Sequence, residues 1–197
     1  MPIAVLLLAV AGGCRRETAD PDMVAAVETT ATTDTSVTLS ATTTAATGGT
    51  VSAMLPADKE FVIRAAGTVM AEVMLSEPAV KRGRSARVKA FARRLIAEHG
   101  RSNQELQLLA TNKGLALPTA LDGDAEQKLE RLQALSGVGF DREYMTRMVE
   151  DHQAAVAMFE NAAKTVQDAD VRAWIGKTLP VLRDHLDRAR SVQSKLR

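Results

Sequence analysis

From Asp58 onward, apolar residues recur in alternating steps of three and four, the spacing that lines one face of an α-helix. The first run predicts a helix over 58–81, with Phe61, Val62, Ala65, Val69, Val73 and Ser76 on one side and Pro78 kinking or fraying its last turns. A second run starts at Ser85, an N-cap, and carries Val88, Ala92, Leu95, His99, Ser102, Leu106 and Leu109 until Gly114 and Pro118 end it. The third opens at Phe140-Asp141, with Asp141 as cap and Phe140 stapled to Met145, and continues through Met148, His152, Ala155, Phe159 and Ala162. The fourth begins at Asp168 and runs Val171, Ile175, Leu182, His185, Ala189 and Val192, with a bend expected at Pro180. Residues 115–140 form a long connection, in which a capping box at 124–127 precedes a short helix over 128–135. The pattern predicts an all-α antiparallel four-helix bundle over residues 56–197, with a short extra helix in its long connection.

The chain has three histidines, His99, His152 and His185, and each falls on the apolar seam of a different helix. Counting from the turns fixes their heights. His152 lies 16 residues before Asp168 and His185 lies 17 after it, so an antiparallel hairpin sets them level. Around Arg84, Glu72 lies 12 before and His99 lies 15 after, an offset of about 4.5 Å. One polar group per helix therefore meets near mid-bundle. Phe91-x-x-Arg94 precedes His99 by the intervals at which Tyr144-x-x-Arg147 precedes His152, which suggests a duplicated hairpin.

The N-terminal part behaves differently. Residues 1–13 are short, apolar and small, and read as a signal peptide too short to span a bilayer. Cys14, the only cysteine, follows directly, in the manner of a bacterial lipobox whose cysteine becomes lipidated. It rules out an intrachain disulfide and a cysteine-built zinc site. Residues 14–55 are rich in Thr and Ala with no lasting apolar period, a low-complexity linker. Its 41 residues after the cysteine would span roughly 35 Å as a flexible coil. The expectation is a bundle tethered by a lipid anchor to a membrane of the bacterial cell envelope, in the outer membrane or facing the periplasm. With 25 basic against 24 acidic residues, no basic field points to nucleic acid.

Several motifs taken in order resemble one bacterial family. They are Asp58-x-x-Phe61 with Glu72-Val73, Val88-Lys89-x-Phe91-Ala92 with Glu98-His99, Phe140-Asp141-x-x-Tyr144 with Asp151-His152, and Leu179-Pro180-x-Leu182 with His185-Leu186. Over about residues 57–195 the chain resembles the ferritin-like domain-of-unknown-function family 4142, often labelled an outer-membrane protein. The resemblance implies a ferritin-like four-helix bundle, usually exported, with no established reaction. Ferritin-like di-iron proteins use Glu-x-x-His pairs. Here Ile96, Val149 and Leu182 occupy the positions three before the histidines, which argues against a di-iron oxidase.

Two functions remain open at this point. One is a noncatalytic envelope protein, in interaction or stress response, whose polar core is a satisfied hydrogen-bond network. The other is a metal-binding protein in which Glu72, His99, His152 and His185 hold one divalent ion of Zn, Fe, Cu or Ni. Glu98, Asp151 and Asp184 would orient imidazoles on adjacent helices, and Tyr144 would be a further hydrogen-bond partner. Met70, Met74, Met145, Met148 and Met158 read as core filler rather than as soft copper ligands. The basic turn Lys81, Arg82, Arg84 and Arg87 reads as a solvated face, with anionic lipid as its alternative partner. No Gly-x-Ser-x-Gly, P-loop or Rossmann pattern occurs, which points away from an enzyme.

Overall fold

The computed structural model describes residues 54–196; the predicted signal, Cys14 and the linker as far as residue 53 lie outside the described residues. The elements are α1 (Pro56–Arg82), α2 (Ala86–Asn112), α3 (Gly123–Gln133), α4 (Gly137–Thr165) and α5 (Ala169–Ser194). α1 pairs with α2 and α4 with α5 as two hairpins; α1 also faces α4 and α2 faces α5, while the short α3 rests on α1 and α4. This is a ferritin-like four-helix bundle with one added helix in the long connection. Among the described residues, no helix is long and apolar enough to cross a membrane.

The helix ends follow local chemistry. Pro56 starts α1 at a position where its missing N–H costs nothing. Ser85 caps α2 by accepting from Arg87 N, and Asp168 caps α5 by accepting from Asp170 N and Val171 N. Gly114, at φ 63°, takes the left-handed position after α2. Three expectations are corrected. α1 does not fray at Pro78 but runs through it to Arg82, since the carbonyl that Pro78 cannot serve belongs to Met74, on an exposed face. α3 is capped by Asp122, which accepts from Ala125 N, so the helix spans 123–133 rather than 128–135. α4 begins at Gly137, and Asp141 is a buried residue inside it rather than its cap.

Asp141 has another task, and the same task recurs in the other hairpin. Its carboxylate accepts from Arg84 N at 2.9 Å and Ser85 N at 2.7 Å, closing the α1–α2 turn. Asp58, near the start of α1, accepts from Gln167 N at 3.1 Å and Asp168 N at 2.8 Å, closing the α4–α5 turn. Each hairpin thus braces the turn of the other. The donors and acceptors all repeat at a spacing of 83 residues: Asp58 with Asp141, Arg84 with Gln167, Ser85 with Asp168. Glu60-Phe61 and Arg64 likewise match Glu143-Tyr144 and Arg147, and both Arg–Glu pairs form salt bridges. The duplication is therefore α1–α2 with α4–α5. The shorter likeness around Phe91 and Tyr144 equates α2 with α4, which the fold does not.

The core comes in two apolar clusters. One gathers Phe61, Leu106, Phe159 and Trp174, with Phe61 edge-on to Phe159 at 5.1 Å between ring centroids. Met54, which composition assigns to the linker, joins it. The other gathers Leu75, Phe91, Leu95, Phe140, Tyr144 and Met148. Between the two lies the level of Glu72, His99, His152 and His185.

Two outcomes follow for the braced turns. Asp141→Asn replaces one acceptor with an NH₂ facing a backbone N–H, and should cost about 1.5–3 kcal/mol, read as a lowered urea midpoint at unchanged slope. At Gly83 a Cβ would lie 2.6 Å from the Ala79 carbonyl oxygen and 3.2 Å from Asp141 Oδ1. Gly83→Ala should therefore cost about 1–3 kcal/mol in the same measurement.

Candidate metal centre

α1 carries Glu72, α2 His99, α4 His152 and α5 His185, and all four side chains are buried. The three rings form a near-equilateral triangle, with centroid separations of 5.0 Å for His99–His185, 5.4 Å for His152–His185 and 5.6 Å for His99–His152. One ligand nitrogen from each ring lies within 4.8 Å of the other two. A tetrahedral ion with bonds of about 2.0–2.1 Å would draw such nitrogens to about 3.4 Å apart, closing the triangle inward. Glu72 does not join that mutually close set but stands against two of its members. Its Oε2 is 2.8 Å from His99 Nε2 and its Oε1 is 3.4 Å from His152 Nδ1. The predicted four-residue set is thus three imidazoles and an adjoining carboxylate.

Two ring orientations are fixed from outside. His152 Nδ1 donates to the Met148 carbonyl at 2.9 Å, so the neutral ring carries its lone pair on Nε2. His185 Nε2 donates to Glu98 at 2.6 Å, which leaves the lone pair on Nδ1. Neither of those lone-pair nitrogens has a hydrogen-bond partner. The same is true of His99 Nε2 and both Glu72 oxygens, because the short His99–Glu72 approach is not aligned as a hydrogen bond. Buried polar atoms are satisfied in the great majority of cases, so five unpaired ones at one level stand out.

The electrostatics follow from burial. Burial holds the His185 ring at about 4, below the usual imidazole range, against the opposing pull of Glu98. Burial would raise the Glu72 carboxyl, but its electrostatic and hydrogen-bonding interactions with the adjoining imidazoles of His152 and His99 outweigh this and bring the group to about 2. Burial likewise pushes the Tyr144 phenol up, so it stays protonated.

Of the outer residues expected around the site, Glu98 is in place. It bridges His185 to Arg94, whose Nε lies 3.0 Å from Oε1. Three others are elsewhere. Asp184 pairs with Arg94 at 3.4 Å and Arg188 at 2.6 Å on the surface, and reaches His185 only through Arg94 and Glu98. Asp151 pairs with Lys128 of α3 at 3.0 Å. Tyr144 shares a hydrogen bond of 2.8 Å with Ser76. A residue next to a buried histidine points about 100° around its helix, so whatever element stands there decides its partner. For Glu98 that element is α5, with His185; for Asp151 it is α3, with a lysine. Met145 and Met148 pack in the apolar cluster and Met74 is exposed.

Sequence reasoning missed the Met148 carbonyl, which no side-chain pattern reveals, and Lys128, whose Asp124 partner four residues earlier was the available signal. Two cavities approach the level from opposite sides. One, of about 460 Å³, opens between α2 and α5 and reaches His99 and Ser102, whose hydroxyl is also unpartnered. The other, of about 510 Å³, lies between α1, α4 and α3 and reaches Glu72.

Solved structures with this fold include a crystal structure of a DUF305 fragment from Deinococcus radiodurans, at a TM-score of 0.66 and 15% identity, covering 72% of this chain and 98% of that one. CopM in the Cu(II)-bound form matches at a TM-score of 0.58 and 16% identity, over 71% of this chain and 97% of that one. At such identities the likeness is one of fold. No curated protein matches the sequence. The model of one family matches residues 40–192, which takes in every helix but the last two residues of α5, and the chain belongs to that family, described as "Domain of unknown function (DUF4142)".

Proposed function

We propose that this protein binds a single divalent transition-metal ion through His99, His152 and His185, with Glu72 as the carboxylate beside it. The observation that carries the reading is the set of unpartnered buried atoms: three imidazole nitrogens and two carboxylate oxygens meet without hydrogen bonds. A purely structural polar core accounts for them poorly, since each unsatisfied group costs about 1–3 kcal/mol. An ion would partner the three imidazole nitrogens, with its charge balanced by the adjoining Glu72 carboxylate. Three imidazoles and a carboxylate suit Zn²⁺ or Cu²⁺ over Mg²⁺ or Ca²⁺, which prefer oxygen ligands. Glu98 and the Met148 carbonyl hold two rings from behind, as outer partners do in metal sites. The fold likeness to a protein described in a Cu(II)-bound form is in keeping with this reading. The proposal extends to the envelope: residues 1–13 direct export, Cys14 carries the lipid anchor, and the linker tethers the bundle beside a membrane.

Elemental analysis of the full chain purified without chelator should find close to one ion of Zn or Cu per chain, and His152→Ala should abolish it. A folded wild-type protein that neither carries nor takes up either metal would sink the reading. Glu98→Gln should keep the ion but weaken its affinity by about 10–100-fold, measured by competition with a chelator. The metal-free protein should also be acid-sensitive. His185 resists protonation until about 4 when folded, whereas the unfolded chain takes up that proton near 6.5. The unfolded state therefore binds more protons across that window, and stability falls as pH is lowered through it. The urea midpoint should drop steadily from pH 6.5 towards 4; a flat profile there would show that His185 is not buried neutral.

A further inference from the structure

The cavity between α1, α4 and α3 is lined at its inner end by Glu72, 1% exposed and with both oxygens unpartnered. Around its mouth stand Asp122, Asp124 and Asp151. Against these four carboxylates the cavity has two cations, Arg64 and Lys128, so its formal charge is −2 and its field draws cations inward. Arg64 is engaged outside, on Glu60. Lys128 is the central group: its ammonium sits 3.0 Å from Asp124 and 3.0 Å from Asp151, a cation already held in the mouth by two carboxylates.

The wall and the lid differ in build. Gly67, Ala71, Ala154 and Ala155 form a wall of small residues on the side towards Glu72. The lid is α3, an 11-residue helix that buries only Ala125 and Leu132, whereas each of the four long helices buries seven or more residues. Little apolar area holds α3 down, so it belongs to the part of the fold that opens at the lowest cost. The opposite cavity lacks this character. Between α2 and α5 three acidic residues, Glu98, Glu105 and Asp184, are balanced by Arg94, Arg101 and Lys177.

We propose that the ion enters and leaves through the α1–α4–α3 cavity, and that Lys128 on α3 is a tethered cation that gates this path by occupying Asp124 and Asp151. The inference rests on the metal-binding reading above. An incoming divalent ion displaces the ammonium from Asp151, passes along the small-residue wall to Glu72, and is handed to the imidazoles. Lys128 then recloses the mouth. Because the gate stands on the path and not at the ligands, it controls rates in both directions.

The test is the rate of Zn²⁺ uptake by the metal-free full chain, and of its removal by a chelator, followed in stopped flow. Lys128→Gln should speed both uptake and release by roughly tenfold. Asp124→Asn, at an exposed position, should loosen the same tether and act in the same direction if Lys128→Gln proves unstable. Arg101→Gln or Lys177→Gln on the opposite cavity should leave both rates unchanged. If the wild type binds Zn²⁺ but its rates respond to Arg101→Gln or Lys177→Gln and not to the Lys128 and Asp124 variants, the route is overturned while the metal site stands. If the wild type takes up no Zn²⁺ or Cu²⁺, both proposals fall together.

Discussion

The constraint on which this bundle turns is the layer of ionisable groups set across its middle. Four titratable side chains, each 3% exposed or less, separate one apolar cluster from the other. Burying them sets polar desolvation against the hydrophobic gain above and below, and unpaired charge in such a place is strongly unfavourable. Burial keeps the His185 ring neutral, and its far side is satisfied by Glu98. His152 is satisfied on its far side by a helix carbonyl. The inward faces are left to one another, and they do not satisfy one another. The two apolar clusters supply the stability that lets the layer persist in this state.

What keeps the layer level is the frame. The reciprocal braces from Asp58 and Asp141 tie each hairpin's turn to the first helix of the other, so neither hairpin can slide along the bundle axis without breaking four charge-assisted hydrogen bonds. Lys113, at the end of α2, adds ion pairs to Asp168 and Asp170 at the start of α5. Three histidines from three helices meet within 4.8 Å because these end contacts fix the heights of the helices from which they project.

Much of this was legible in the chain. The alternation of threes and fours located all four long helices, and counting residues from the turns placed Glu72 and the histidines at one height, because helical rise is constant. Periodicity reports which face a residue occupies and not what stands opposite. That is why Asp141 looked like a cap for its own helix yet serves the α1–α2 turn, and why Asp151 and Tyr144 looked like partners for histidines yet bind Lys128 and Ser76. The 83-residue spacing was also present in the sequence, written in aspartates and caps rather than in the apolar seam. Only the bonds at the turns give those residues a reason to recur.

The same spacing shows where the two halves part company. Carried across it, Glu72 meets Ala155, His152 meets Val69, His99 meets Leu182, and His185 meets Ser102. Each polar residue of the central layer thus has an apolar or small counterpart in the other half, while the braces, the N-caps and the flanking Glu–Arg pairs are kept. Under purely structural demands an apolar pair at these positions would pack at less cost than a buried ionisable one. The divergence also has a geometry: one half contributes the carboxylate and one imidazole, the other half two imidazoles, and the small counterpart Ala155 lines the cavity that leads to Glu72. The frame is thus symmetric and the layer asymmetric, with one imidazole on each of three helices and the carboxylate on the fourth.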